Sequence, residues 1–327
     1  MTASAIRQGL TGYRASFIVL GLLAGIAAFL TPGCGGDDEQ TVVITLVPWT
    51  LDFDSSNHLF FVERASFSIW KFTGEDPSGQ LLPPSGGGFS PWGIDAGDED
   101  ILFVSDQTAA RPRLLALDTD FTDAVPLLDN LLAEVSETVP GTPIPLPRAV
   151  ESLALAPGTF RVFLAAGEAI AARVLVFDYS VSGKSFSYRE TLTLAGGSGC
   201  PSFEQPQGLA VDALNRRLYV VDGGGNDRLY QFSGIDEILP AACDDEVDQW
   251  EGVSFDNPAG VAAWSGEPAP EDNKIVVADA DNQRLVAFFW DGAEIQPTIL
   301  PDYVEPSTRR PFDVAFDAEG KLWATYP

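Results

Sequence analysis

Two stretches of the chain set a tryptophan and a carboxylate at the same spacing: Trp49 with Asp52 after Pro48, and Trp92 with Asp95 after Pro91. A third aromatic, Phe312, follows Pro311, and an acid, Glu151, takes the place after the proline in a more divergent stretch that starts at Val150. Aromatic faces beside carboxylates suit a sugar, a cationic side chain or a metal-bridged ligand. Asp52 and Asp95 are the residues to consider for a metal, since a hard cation such as Ca²⁺ wants several oxygens and these two supply only part of a set. A plainer use competes: the tryptophans would roof a core, and the aspartates would bond neighbouring backbone. Catalytic options are few. The single histidine, His58, stands in a predicted turn, SSNH, so a Ser-His-Asp site would have to use it and a multi-histidine zinc site is excluded. No nucleophile–base pair stands out, which leaves enzymatic activity an open question. The run GGGNDR, 223–228, has no phosphate-loop lysine, and DDEVD, 244–248, has no EF-hand spacing and reads as a solvated face.

The elements that must position these residues are repeated strands. Similar units recur near 46–72, 89–118, 150–178, 203–232, 255–288 and 309–327. Each has a short apolar run, a turn rich in Asp, Gly and Asn, and a second run such as LYVV or ILFV, and all but the last go on through a polar loop to a third run such as RLYQF or RLVAF. Runs of this length with aromatic and β-branched residues, bounded by turn chemistry, signal strands. The first apolar residues of the inner strands are read as Leu51, Ile94, Leu153, Leu209, Val261 and Val314. With 24 prolines and 31 glycines, little room remains for long helices. Six such units close into a ring that protects most sheet edges, so the expected fold is all-β, a six-bladed β-propeller of antiparallel blades.

The residue after the loop proline is Trp49, Trp92, Gln207, Ala259 or Phe312 in five units, with Glu151 assigned to that place in the third. The position after the first apolar residue is alanine in four units and Asp52 and Asp95 in the first two. The last unit adjoins the first on ring closure, so Phe312, Trp49 and Trp92 are expected on three consecutive blades at one mouth, with the aspartates behind them. The last unit stops after two strands, so its blade is either incomplete or closed from the N-terminal side by Thr41–Leu46, which would then lie parallel to its neighbour.

The pattern P-x-G-apolar-A-apolar-D, then L-Y-V-x-D, then N-x-R-apolar resembles the NHL repeat. It is carried best by Pro206–Asp212, Leu218–Asp222 and Asn226–Leu229, and next by Pro258–Ala262, Val276–Asp279 and Asn282–Leu285. The third unit lacks P-x-G and the aspartate after its second strand. The resemblance spans about 46–327 and implies a scaffold. Ligand-binding propellers have this form, and related six-bladed folds include lyases and calcium-dependent lactonases. The repeated Asp–Arg pairs, Asp222 with Arg228, Asp279 with Arg284 and Asp106 with Arg113, fit a blade-building role in which the carboxylate accepts backbone N–H groups and pairs with the arginine.

Residues 1–33 read as an export leader. Arg7 and Arg14 precede the uncharged run Phe17–Leu30, too short for a membrane span of about 20 residues. Gly33-Cys34 and the acidic tether that follows, 34–40, resemble the lipobox of bacterial lipoproteins, although Thr31 stands where the family prefers an aliphatic residue. The resemblance implies lipid on Cys34 and, with Gly35 rather than Asp next, an outer-membrane or periplasm-facing address. Plain secretion and an uncleaved anchor are the other readings of the same run. The remaining cysteines, Cys200 and Cys243, form a candidate disulfide. The chain carries 19 Lys+Arg against 47 Asp+Glu, a net charge of −28, which excludes nucleic acid as a partner. The expectation is an extracytoplasmic, lipid-anchored propeller, 41–327, that binds a protein, peptide or glycan. The alternative is a Ca²⁺-dependent lactonase-like hydrolase or lyase using carboxylates in the central channel.

Overall fold

The computed structural model describes residues 18–20, 48–74, 76–84, 88–108, 110–139, 141–192, 202–236, 243–246, 254–265, 274–290, 295–299 and 310–327. Five complete antiparallel blades stand in chain order. Blade 1 holds Pro48–Phe53, His58–Glu63, Ser68–Thr73 and Asp76–Leu82, with Ala124–Pro126 added in parallel at its outer edge. Blade 2 holds Pro91–Gly97, Ile101–Asp106, Arg113–Asp118 and Leu131–Val135. Blade 3 holds Pro147–Ala156, Thr159–Ala166, Arg173–Ser180 and Ser185–Leu192. Blade 4 holds Gln205–Asp212, Arg217–Gly223, Arg228–Ser233 and Cys243–Glu246, and blade 5 holds Pro258–Trp264, Lys274–Asp279, Arg284–Trp290 and Ile295–Ile299.

The expected ring of six blades therefore has five complete ones. At the sixth position stands a small sheet of two antiparallel strands, Asp313–Phe316 and Leu322–Thr325. The N-terminal strand that joins this sheet in parallel is Ile18–Leu20, within the predicted leader; Thr41–Leu46 lies outside the described residues. The inner strands pack one against the next around the ring, and Asp313–Phe316 packs against both blade 5 and blade 1. Apolar clusters fill the gaps between neighbouring sheets. Phe103, Leu114, Val162 and Phe177 join blades 2 and 3, and Leu51, Phe61 and Ala315 join the small sheet to blade 1. Both faces of most strands are thus buried, which explains the continuous apolar runs such as ILFV and VFLAA.

In the five complete blades the inner strand has a proline at or next to its first residue, and the ladder slips just after it, between Pro48 and Leu51, Pro91 and Ile94, Pro147 and Val150, Pro206 and Gly208, and Pro258 and Gly260. Proline has no N–H for the ladder, so an irregularity is the natural way in. This shared slip corrects the register of blade 3. Val150 pairs with Leu164 as Ile94 pairs with Val104, so Val150, not Leu153, is the first apolar residue of the inner strand. The residue after the proline is then Arg148, and Glu151 moves to the position of Asp52 and Asp95. The sequence hides this register because Arg148-Ala149 stands where three other units read x-Gly. The glycine matters elsewhere: a Cβ on Gly93 would sit 2.6 Å from the Arg148 carbonyl, and one on Gly208 would sit 2.7 Å from that of Ala259. There the next inner strand comes too close for any side chain.

Candidate functional site

A cavity of about 240 Å³ runs along the ring axis and is lined by all six inner strands. With the register corrected, the position after the first apolar residue carries Asp52, Asp95 and Glu151 on blades 1–3, and Ala210, Ala262 and Ala315 on the other three sheets. All six line the cavity. The three acids that sequence reasoning selected are therefore together, at one level of one channel. A fourth acid, Asp313, joins them and was missed. Its signal was present: it stands where three other units have the close-approach glycine.

Each acid reaches the next inner strand. Asp313 Oδ2 accepts from Leu51 N at 3.0 Å, and Asp52 Oδ2 accepts from Ala96 N at 2.7 Å. Asp95 is stabilised by hydrogen bonds from Ser152, and Glu151 by the Val211 N–H. The physical reason lies in the sheet. An inner strand has a partner on one side only, so every other N–H on its channel edge lacks a ladder acceptor. The carboxylates supply acceptors from the preceding sheet. The competing structural use foreseen for the aspartates is thus realised. One atom escapes it: Asp95 is 5% exposed, and its Oδ2 is buried without a hydrogen-bond partner.

Burial raises all four acids, because removal from water disfavours the anion. Asp95 is pushed up to about 6 and Asp313 to about 7. Asp52 is held well above the usual carboxylate range by burial and then by the charge of Asp95, against the opposing Ala96 N–H. Glu151 is raised well above its usual range by burial, then by Asp95, Asp52 and Asp313. Among the described residues, no group of three or more His, Cys, Asp or Glu side chains is arranged to hold a metal ion.

The aromatic trio is also together. Trp49 lies 3.9 Å from Phe312 and 5.0 Å, edge-on, from Trp92, measured between ring centroids. They differ in role. Trp49 is 8% exposed and belongs to the core between blades 1 and 2, with the Arg64 guanidinium 3.8 Å over its ring. Trp92 and Phe312 are half-buried and line the cavity. Arg148, at the equivalent place on blade 3, lies 5.7 Å from the Trp92 ring and is paired with Glu168. The ring of residues at this end thus runs Phe312, Trp49, Trp92, Arg148, Gln207, Ala259.

The Asp–Arg pairs are structural. Asp279 is fully buried, accepts from Asp256 N and binds Arg284 at 2.6 Å; Asp106 accepts from Ser90 N and binds Arg113 at 2.8 Å. Asp222 accepts from Glu204 N and Gln205 N. His58 opens the second strand of blade 1 and bonds Asp54 at 2.7 Å, away from the channel. Cys34 and Cys200 lie outside the described residues, while Cys243 opens the outer strand of blade 4.

No family model matches the chain, and no curated protein matches it. Solved structures do. A gluconolactonase from Xanthomonas campestris superposes with a TM-score of 0.54 at 13% identity, covering 86% of this chain and 84% of its own. A chain of the nidogen/laminin complex gives 0.52 at 15% identity, covering 83% and 84%. A streptogramin B lyase gives 0.51 at 14% identity, covering 84% and 75%. At such identities the likeness establishes the fold, a β-propeller, and nothing finer.

Proposed function

We propose that the chain is a binding propeller of the cell envelope, tethered through lipid on Cys34, which takes a group of a protein, peptide or glycan at the aromatic end of its channel without transforming it. Similar folds serve both binding and catalysis, so the fold does not choose between them. The observation that supports binding is the use of the channel acids. Asp313, Asp52, Asp95 and Glu151 each brace the next inner strand, and among the described residues they form no metal-binding group. A hydrolase or lyase needs a reacting group or a metal aimed at substrate. The export leader and the Gly33-Cys34 junction support the address.

Incubation with a δ-lactone and an aryl ester, with and without Ca²⁺, is expected to give no turnover above buffer and no Ca²⁺-dependent rise in Tm. Saturable, Ca²⁺-dependent hydrolysis would overturn the binding reading in favour of the lactonase-like one. For the tether, Cys34→Ala should move the protein out of the membrane fraction; equal fractionation of variant and parent would contradict lipidation.

A further inference from the structure

We propose that the acid side of the channel binds an organic cation, a primary ammonium or guanidinium group on a slim aliphatic chain, with Asp95 as its buried contact. The proposal rests on the binding reading above and names the ligand chemistry. Its first support is Asp95, which lines the cavity and whose Oδ2 is buried and receives no hydrogen bond. Buried polar atoms are nearly always partnered, so a donor from outside the chain is the missing piece. Its second support is the composition of the wall. Four acids line the cavity and no lysine or arginine does, among the described residues. The third is shape. About 240 Å³ lies below the roughly 300–1,000 Å³ of drug-sized sites, so the occupant is narrow. At the level of Asp52, Asp95 and Glu151, the other three sheets present Ala210, Ala262 and Ala315, an apolar surface for a methylene chain. Trp92 and Phe312 line the same cavity, and aromatic rings favour a cation.

A metal ion fits less well, since the described side chains do not gather as a metal-binding group. The environment of Asp95 comprises Asp52 from blade 1, Glu151 and Ser152 from blade 3 and Asp98 from its own hairpin, and Asp313 of the small sheet lines the same cavity. All but Ser152 are acids. A bound cation would relieve their repulsion, lower their proton affinity and release protons on binding.

The test is calorimetric titration of the full chain with pentane-1,5-diamine and with the neutral pentane-1,5-diol, at pH 6 and pH 8, in buffers of different ionisation enthalpy. The diamine is charged at both values. It should bind saturably, more tightly at pH 8, with proton release at pH 6, while the diol gives no binding. Asp95→Asn should weaken the diamine about ten- to a hundredfold, the size of one charge-assisted hydrogen bond, and the exposed Asp120→Asn should not. Equal binding of the diol, no heat from the diamine, undiminished affinity in Asp95→Asn, or displacement of the diamine by equimolar Ca²⁺ would overturn the proposal. If Asp95→Asn does not fold, the comparison of diamine, diol and pH on the unmodified chain decides. Turnover of lactone or ester would sink the binding reading itself. Binding of a neutral ligand without turnover would sink only this proposal.

Discussion

Trp49 and Trp92 occupy equivalent places on adjacent blades, yet the structure gives them different work. Trp49 is wedged between Phe312 and Trp92 with Arg64 stacked above it, and it belongs to the core between blades 1 and 2. Emptying such a site costs about 3–5 kcal/mol, so Trp49→Ala should lower the urea midpoint sharply. Trp92 is half-buried and lines the cavity, so Trp92→Ala should cost about 1–2 kcal/mol, in line with the smaller area it hides. Equal losses in the two variants would mean that Trp92 is core as well and that the aromatic end is a lid. The buried Asp279 is a second case of a residue whose use is fixed by its neighbours. It binds Asp256 N, Asn282 and Arg284 within one loop-strand corner, and Asp106 and Asp222 repeat the arrangement.

The element that departs most from the repeat is the small sheet Asp313–Phe316 and Leu322–Thr325. A complete blade brings four strands to the ring, and this one brings two antiparallel strands with Ile18–Leu20 alongside. Side chains reinforce its junction with blade 1. Thr325 Oγ1 donates to Trp49 O at 2.8 Å, and Asn57 donates to Glu319 at 2.9 Å while accepting from Ala318 N at 3.1 Å. Asn57 also has φ of 66°, a left-handed conformation that asparagine tolerates and alanine does not. Asn57→Gly removes the hydrogen bonds without strain and should cost about 1 kcal/mol. Asn57→Ala adds the backbone penalty and should cost about 2 kcal/mol or more. Denaturation curves that overlay the parent for both variants would show that apolar packing alone closes the ring.

At the scale of the whole molecule, the channel acids make stability depend on pH in an uncommon direction. Their folded-state values lie above those of the unfolded chain, with Asp95 at about 6 and Asp313 at about 7. Between the unfolded value near 4 and these, the folded state holds more protons, so raising the pH favours unfolding. The stabilising share of these two groups is fully present below about pH 4 and is lost as pH rises through about 6–7. The net charge of −28 pushes the same way as acids ionise. Tm measured without added cation should therefore fall from pH 5 to pH 7.5, and Asp313→Asn should flatten that slope. A Tm that rises over this interval, or a slope unchanged in the variant, would contradict the assignment.

The strand runs, the repeat and the all-β propeller were legible in the sequence because burial on both faces and turn chemistry leave local marks: VFLAA, LYVV and the D-x-x-N turns are short-range signals. The convergence of Asp52, Asp95 and Glu151 was legible too, although for Glu151 through the wrong register. Val150 and Leu153 are both apolar, and only the pairing of Val150 with Leu164 distinguishes them. Asp313 went unread because its meaning depends on the Leu51 N–H, 262 residues away in sequence. The number of complete blades, the core position of Trp49 and the unpartnered oxygen of Asp95 likewise followed only from the closed ring. Each is set by contacts between neighbouring sheets, and a linear pattern records what a strand is, not what lies across the gap beside it.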